Sequence, residues 1–264
     1  MISIAGVELE MFERGRGAPI LYLHGGAGIV LDVPFLELIA QGRRVIAPSH
    51  PGFGKSSLPD WLDSMDDIAH IYLELMDRLE LARADVIGFS VGGWIAAEVA
   101  TKVPERIQRL VLIGPVGVKT GKPDKLDIPD IFAMPREKLD RLRFHDPGKN
   151  PVDLAKLGDD ELQLVARNSE TLALLTWEPY MHNPKLRHRL HRVEAPTLFL
   201  RGASDGLVSA EYLERFAALL PNATLETIAA AGHLPHVEQP AATAAKILKF
   251  LQQPQAANAP GARS

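Results

Sequence analysis

Ala84-Asp85-Val86-Ile87-Gly88-Phe89-Ser90-Val91-Gly92-Gly93-Trp94 is the stretch whose reading decides the fold. A strand-like run over 84–87 leads into it and an apolar helix-like run over 94–100 leads out, so Ser90 falls at a strand-to-helix turn. A turn that sharp holds its central residue at positive φ and admits only very small residues two positions before and after, here Gly88 and Gly92. Ser90 is then made to protrude. Its Oγ stands clear of the sheet, and the Val91 N–H at the start of the helix points toward any oxyanion formed on an attacked carbonyl. Gly-x-Ser-x-Gly also occurs in ordinary loops. Its meaning here comes from the strand-turn-helix context and from an acid and a histidine that follow in the order Ser, Asp, His.

Outward from this turn, strand-like runs recur at 2–4, 7–12, 20–23, 44–47, 110–113, 196–200 and 224–228, with helical patterns between most of them. The run at 20–23 is apolar throughout, as a strand buried on both faces should be. Met65, Ile68, Tyr72, Leu75, Met76 and Leu79 recur at helical spacing and mark a helix over 64–80. Such alternation predicts an α/β fold: a mostly parallel eight-stranded sheet flanked by helices, with right-handed crossovers. The rhythm changes over 115–192. These 78 residues hold eight of the 20 prolines and no strand-like run, but helical patterns appear at 135–144, 159–176 and 184–190. The segment reads as a helical cap inserted after the sixth strand, between core halves 1–114 and 193–252. Residues 253–264 lack periodicity and read as a disordered tail.

Composition sets outer bounds. The 264 residues are 46% hydrophobic and 23% charged, enough for one large core. A net charge of -4 and the absence of any basic run argue against a nucleic-acid groove. No cysteine is present, which excludes disulfides, a thiolate nucleophile and cysteine-ligated zinc. No apolar run approaches the roughly 18 residues that span a bilayer, and the N-terminal segment alternates like a strand rather than a signal peptide. The expectation is a cytoplasmic protein, monomer or homodimer, that binds a small molecule and neither nucleic acid nor membrane.

A serine hydroxyl needs a base, and nine histidines compete for that role. His233 lies in a small-residue loop directly after the last predicted strand, and in a parallel sheet every such loop falls on the same rim as the serine turn. His24 and His50 share the rim but read as loop-bracing residues. Pairs such as His233 with His236, or His188 with His191, lack a third ligand, so no metal is expected. Asp205, in Arg201-Gly202-Ala203-Ser204-Asp205-Gly206, follows another strand onto the rim and is the candidate acid that fixes the imidazole. The glycines of His24-Gly25-Gly26-Ala27-Gly28 supply a second oxyanion donor, assigned to Gly26 beside Val91. Phe132, Met134, Phe144, Trp177, Tyr180 and Met181 are cap residues expected to face the site. Gly54-Lys55-Ser56 looks like the end of a phosphate loop, but Ser49 stands where its first glycine is required. This chemistry calls for no cofactor.

Together these residues resemble the α/β-hydrolase superfamily over nearly the whole chain. His24-Gly25-Gly26 is similar to its oxyanion strand end, Pro51-Gly52-Phe53-Gly54-Lys55-Ser56 to its Pro-Gly-x-Gly-x-Ser loop, and Gly88 to Gly93 to its nucleophile elbow. Asp205 resembles the acid after strand seven, and Gly232-His233 with Glu238 and Pro240 the terminal histidine loop. Serine at the elbow speaks against epoxide hydrolases and haloalkane dehalogenases, which use aspartate. The carbon-carbon hydrolases of aromatic ring-fission products are similar over 25–57, but they usually carry Gly-Pro-Gly after the oxyanion glycines and tryptophan after the histidine, where this chain has Ala27-Gly28-Ile29 and Leu234. The resemblance therefore implies first a serine esterase for small to medium apolar substrates. Carbon-carbon cleavage, with Arg141, Arg143 or Arg167 binding a substrate carboxylate, comes second. A ligand receptor that has kept the fold is an alternative of another class.

Overall fold

The computed structural model describes residues 1–253. Its strands are β1 (Ile2–Ile4), β2 (Val7–Leu9), β3 (Met11–Arg14), β4 (Pro19–Leu23), β5 (Arg44–Pro48), β6 (Ala84–Phe89), β7 (Ile107–Ile113), β8 (Thr197–Gly202) and β9 (Ala223–Ile228). The α-helices are α1 (Val33–Ile39), α2 (Met65–Arg78), α3 (Val91–Lys102), α4 (Arg136–Arg143), α5 (Asp159–Thr176), α6 (Ala210–Ala217), α7 (Pro235–Glu238) and α8 (Pro240–Leu251). Seven strands form one sheet in the order β3-β5-β4-β6-β7-β8-β9, where β3 runs antiparallel to β5 and all other pairs are parallel.

Side chains of a strand alternate between faces, so a strand buried on both sides feeds two cores. In β4, Ile20 and Tyr22 join a cluster with Phe35, Leu36 and Ile39 of α1 and Ile247 and Phe250 of α8. Leu21 and Leu23 point the other way, into a cluster with α2, α3 and α6. The helix α2 starts where Ser64 accepts a hydrogen bond from the Asp67 N–H at 3.2 Å, with Asp66 and Asp67 in the first turn and Arg78 in the last. Those charges complement the helix dipole.

The chain leaves β4 for β5 on one side and returns to β6 on the other. That reversal is a topological switch point, and it opens a crevice at the carboxyl ends of β4 and β6. The ends of these two strands carry His24 to Gly26 and Ser90.

Two details of the sequence reading need correction. The expected single strand over 7–12 breaks at Glu10, whose N–H donates to Ser56 Oγ at 3.0 Å and whose carbonyl accepts from the Ser49 N–H at 2.8 Å. With Glu10 committed to that loop, β1 and β2 form their own two-stranded sheet, and the main sheet has seven strands instead of eight. The helix expected over 184–190 is instead two short 3-10 turns, Leu186–His188 and Leu190–Arg192. The tail expected over 253–264 lies outside the described residues except for Gln253.

Between β7 and β8 the chain forms α4, α5 and short 3-10 turns. Most of its buried apolar residues, Val116, Val118, Ile128, Leu175, Met181, Leu186 and Leu190, belong to the same cluster as α2 and α3, while Phe144 joins the other one. Asn183 Nδ2 donates to Glu98 Oε1 on α3 at 2.7 Å, and burial raises the carboxyl pKa of Glu98. This segment is therefore packed onto the sheet's helical layer.

Candidate active site

Ser90 sits between β6 and α3 at φ 53° and ψ -115°, a conformation that L-residues seldom adopt. Close packing explains why glycines flank it. A Cβ on Gly88 would lie 2.4 Å from the Gly92 carbonyl oxygen, and one on Gly92 would lie 2.1 Å from that of Leu23 and 2.4 Å from that of His24. The obstacles are backbone, which cannot swing aside as a side chain can.

Three rim loops converge on this turn. His233 Nε2 lies 3.1 Å from Ser90 Oγ, and His233 Nδ1 lies 2.9 Å from Asp205 Oδ2. The other carboxylate oxygen, Asp205 Oδ1, accepts from the N–H groups of Leu207 and Val208, each at 2.9 Å. With that oxygen taken, Asp205 presents a pure acceptor to the imidazole, so Nδ1 carries a proton and Nε2 is free to accept from Ser90. Asp205 and His233 are both buried. Gly114 passes close by with φ 47°, and a Cβ there would meet the His233 ring at 3.1 Å.

Carbonyls at the end of α4 hold the Asp205 and His233 loops. Leu142 O accepts from the Gly206 N–H at 2.9 Å and Arg143 O from the His233 N–H at 2.6 Å. Glu238 braces the same place, accepting from the N–H of Gly232 at 2.6 Å and of His145 at 2.9 Å.

On the far side of Ser90, Gly26 and Val91 line a narrow cavity of about 40 Å³ together with Ser90, His233, Val116, Ile128, Ile131, Leu172, Met181 and Leu207. The Gly26 loop is set from beneath by two buried histidines. His24 Nε2 accepts from the His50 N–H at 2.8 Å, so its Nδ1–H donates to Gly25 O at 2.7 Å. His50 Nε2 lies 2.8 Å from His24 O and donates to it, which leaves Nδ1 to accept from the Tyr72 hydroxyl. Burial lowers both imidazole pKa values and raises that of the Tyr72 phenol. From above, α5 grips the rim. Asn168 Nδ2 donates to Ala27 O and its Oδ1 accepts from the Gly54 N–H, both at 3.0 Å, while Thr171 Oγ1 and Arg167 Nε donate to Gly52 O, also at 3.0 Å.

The loop that looks like a phosphate cradle has its donors committed internally. The N–H groups of Gly52, Phe53, Ser56 and Ser57 go to backbone carbonyls, that of Gly54 to Asn168, and that of Lys55 to Glu10. His236 is held through one ring nitrogen: its Nε2 is 2.9 Å from Asp32 Oδ1, and the Tyr22 hydroxyl donates to Asp32 Oδ2 at 2.8 Å. Among the described residues no group of three or more metal-ligating side chains is found, and no helix is long and apolar enough to cross a membrane.

A family model described as the alpha/beta hydrolase family matches residues 20–246. The chain belongs to the alpha/beta hydrolase family. This hydrolase is 29% identical over 271 residues to the 2-hydroxymuconate semialdehyde hydrolase of Pseudomonas sp. (strain CF600), covering 97% of this chain and 94% of that protein. It is also 29% identical over 247 residues to the poly(3-hydroxyalkanoate) depolymerase of Ectopseudomonas oleovorans, covering 89% of this chain and 84% of that one. Among solved structures, a bacterial membrane phospholipase A superposes with a TM-score of 0.80 at 26% identity, over 95% of this chain and 84% of the other.

Of the six aromatic and methionine residues expected to face the site of this hydrolase, the structure puts only Met181 on the Ser90 cavity. Phe144 is turned to the opposite face of the sheet, in the cluster with Phe89 and Leu234. Phe132 packs on Trp177 and Tyr180 with ring centroids 5.8 and 6.1 Å apart, and Trp177 is exposed. Met134 is half-buried and does not line the Ser90 cavity. Ile128, Ile131 and Leu172 take the places expected of them. Leu172 carried a signal, since it falls within the periodic run that forms α5. The two isoleucines lie in an irregular stretch where spacing says nothing about facing.

Proposed function

We propose that this alpha/beta hydrolase cleaves carboxylic esters with small, largely apolar acyl groups through an acyl-enzyme. Ser90 Oγ attacks the carbonyl carbon as His233 Nε2 takes its proton, and the imidazolium is stabilised by Asp205. The N–H groups of Gly26 and Val91 hold the oxyanion; among the described residues neither is paired with a protein acceptor. The imidazolium then protonates the leaving alkoxide, and water, deprotonated by the same nitrogen, releases the acid. In this reading residues 115–192 act as a cap on a core formed by 1–114 and 193–252, and close the acyl pocket from above.

The observation that carries the ester reading is the lining of the cavity. Beyond Ser90 and His233 it is apolar or backbone, and it contains no cation. Carbon-carbon cleavage of a dienoate, the activity suggested by likeness to the semialdehyde hydrolase, has a substrate carboxylate to neutralise. The arginines available for that task are occupied or remote: Arg167 donates to Gly52 O and Ser56 O, Arg143 stacks 5.8 Å above Phe144, and Arg141 is exposed. Hydrolysis of p-nitrophenyl acetate and of a ring-fission dienoate by the same preparation tests the choice. The expected result is ester turnover that Ser90→Ala abolishes, with little dienoate turnover; dienoate kcat/KM above that for the ester would overturn it. A receptor without chemistry would fail to react with a fluorophosphonate at Ser90.

A further inference from the structure

A second cavity, of about 170 Å³, lies beside the one at Ser90 and is lined by none of Ser90, Asp205 and His233. The two share a wall. Ile128 and Met181 line both, and each is 4% exposed. The outer cavity has a buried apolar floor of Val118, Ile128 and Met181, and its mouth is formed partly by the exposed Pro123, Leu126 and Pro179. The ammonium of Lys119 at its edge is already paired with Asp127 at 3.3 Å. Lys125, Glu178, Tyr180 and His182 complete the lining, so an alkyl chain would contact the apolar part made by Val118, Leu126, Ile128 and Met181.

The backbone of Met181 is held firmly, and its side chain is packed in the buried cluster. Its φ is 53°, in the left-handed region, and it is pinned there by its N–H donating to Thr176 O at 2.8 Å and its carbonyl accepting from the Gly117 N–H at 3.0 Å. An unbranched thioether re-packs at small cost, which suits it to be displaced by a ligand.

We infer that the outer cavity is a subsite for the distal part of a medium-length acyl chain, and that Met181 is the specificity-determining side chain that separates it from Ser90. This rests on the ester reading above. The inner cavity takes the carbonyl and the first carbons; a longer chain must push the Met181 thioether aside to reach the outer one, so the native enzyme favours short acyl groups.

The test is the ratio of kcat/KM for p-nitrophenyl octanoate to that for p-nitrophenyl acetate. Met181→Ala is expected to raise the ratio at least tenfold, since each methylene removed from water contributes about fourfold. Adding Leu126→Trp, which fills the outer cavity from its exposed mouth, is expected to return the ratio toward the native value. Ile128→Ala opens the same wall from its other side and should shift the ratio in the same direction, which keeps the test open if Met181→Ala does not fold. A ratio unchanged within twofold in a folded opening variant would overturn the inference. If no ester is turned over, the ester reading falls, and the subsite is still judged by whether the same variants raise the rate of Ser90 labelling by an octylphosphonate p-nitrophenyl ester over its methyl counterpart.

Discussion

Replacing Asp205 by asparagine changes a single atom and should disable the site without unfolding the protein. The carboxylate accepts three hydrogen bonds: Oδ1 takes the N–H groups of Leu207 and Val208, and Oδ2 takes His233 Nδ1–H. An asparagine must keep its oxygen toward the two backbone donors, because the reverse would set its NH₂ against them. The NH₂ then faces His233 Nδ1, which has to become an acceptor, so the ring proton moves to Nε2 and meets Ser90 as a donor. In that tautomer the imidazole cannot take the serine proton. The expected loss is about 10³- to 10⁴-fold in kcat, roughly 4 to 5.5 kcal/mol in the barrier. Stability should fall little, because both backbone donors stay satisfied. Asp205→Ala should behave differently, since it also strands two buried N–H groups at about 1–3 kcal/mol each. The assay is p-nitrophenyl acetate turnover alongside urea denaturation for both variants. An Asp205→Asn enzyme that is folded and keeps more than about a tenth of native kcat would refute the tautomer argument.

Further expectations follow from other contacts. Gly92→Ala places a methyl against the backbone oxygens of Leu23 and His24, and is expected to cost about 3 kcal/mol or more in urea denaturation or to give no soluble protein, whereas Gly148→Ala, whose Cβ meets only the end of the Asp146 side chain at 3.3 Å, should be nearly silent. The buried imidazoles of His24 and His50 have folded pKa values below the unfolded value of about 6.5, so the unfolded chain binds more protons just below that pH. Their contribution to stability is thus complete above about pH 6.5 and is lost as pH falls toward the folded values, at about 1.4 kcal/mol per pH unit for each ring. Denaturation midpoints at pH 7.5 and 5.5 should show it, with a shallower slope in His50→Gln. Asn168→Ala unties α5 from the Gly26 loop and is expected to lower kcat about tenfold with a smaller change in KM; a purely raised KM would mean that α5 shapes the pocket without positioning the loop.

The sequence was informative where the backbone itself is constrained. Ser90 at φ 53° and the glycines around it could be read because sterics leave almost no other residue type there. The strands on either side could be read because burial on both faces demands continuous apolar runs. Asp205 and His233 were located by a rule of parallel sheets, that loops at carboxyl strand ends share one rim. The segment over 115–192 was far less legible. Helical periodicity marked α4 and α5, but it tells which residues share a face and not what that face meets. Phe144 illustrates the gap: it is large, apolar and close in sequence to Arg143, whose carbonyl holds His233, and yet it is buried on the opposite side of the sheet. The break at Glu10 was hidden for a related reason, because its partners Ser49 and Ser56 lie about forty residues away in the chain.

The last turn of α4 joins two stretches far apart in sequence, since Leu142 and Arg143 lend their carbonyls to Gly206 and His233. Anyone exchanging residues 115–192 on this scaffold to alter its selectivity would remove that clasp as well. A graft should therefore keep 142–143 and exchange only what lies beyond them, or the imidazole and its carboxylate partner will be free to drift apart before any new substrate arrives.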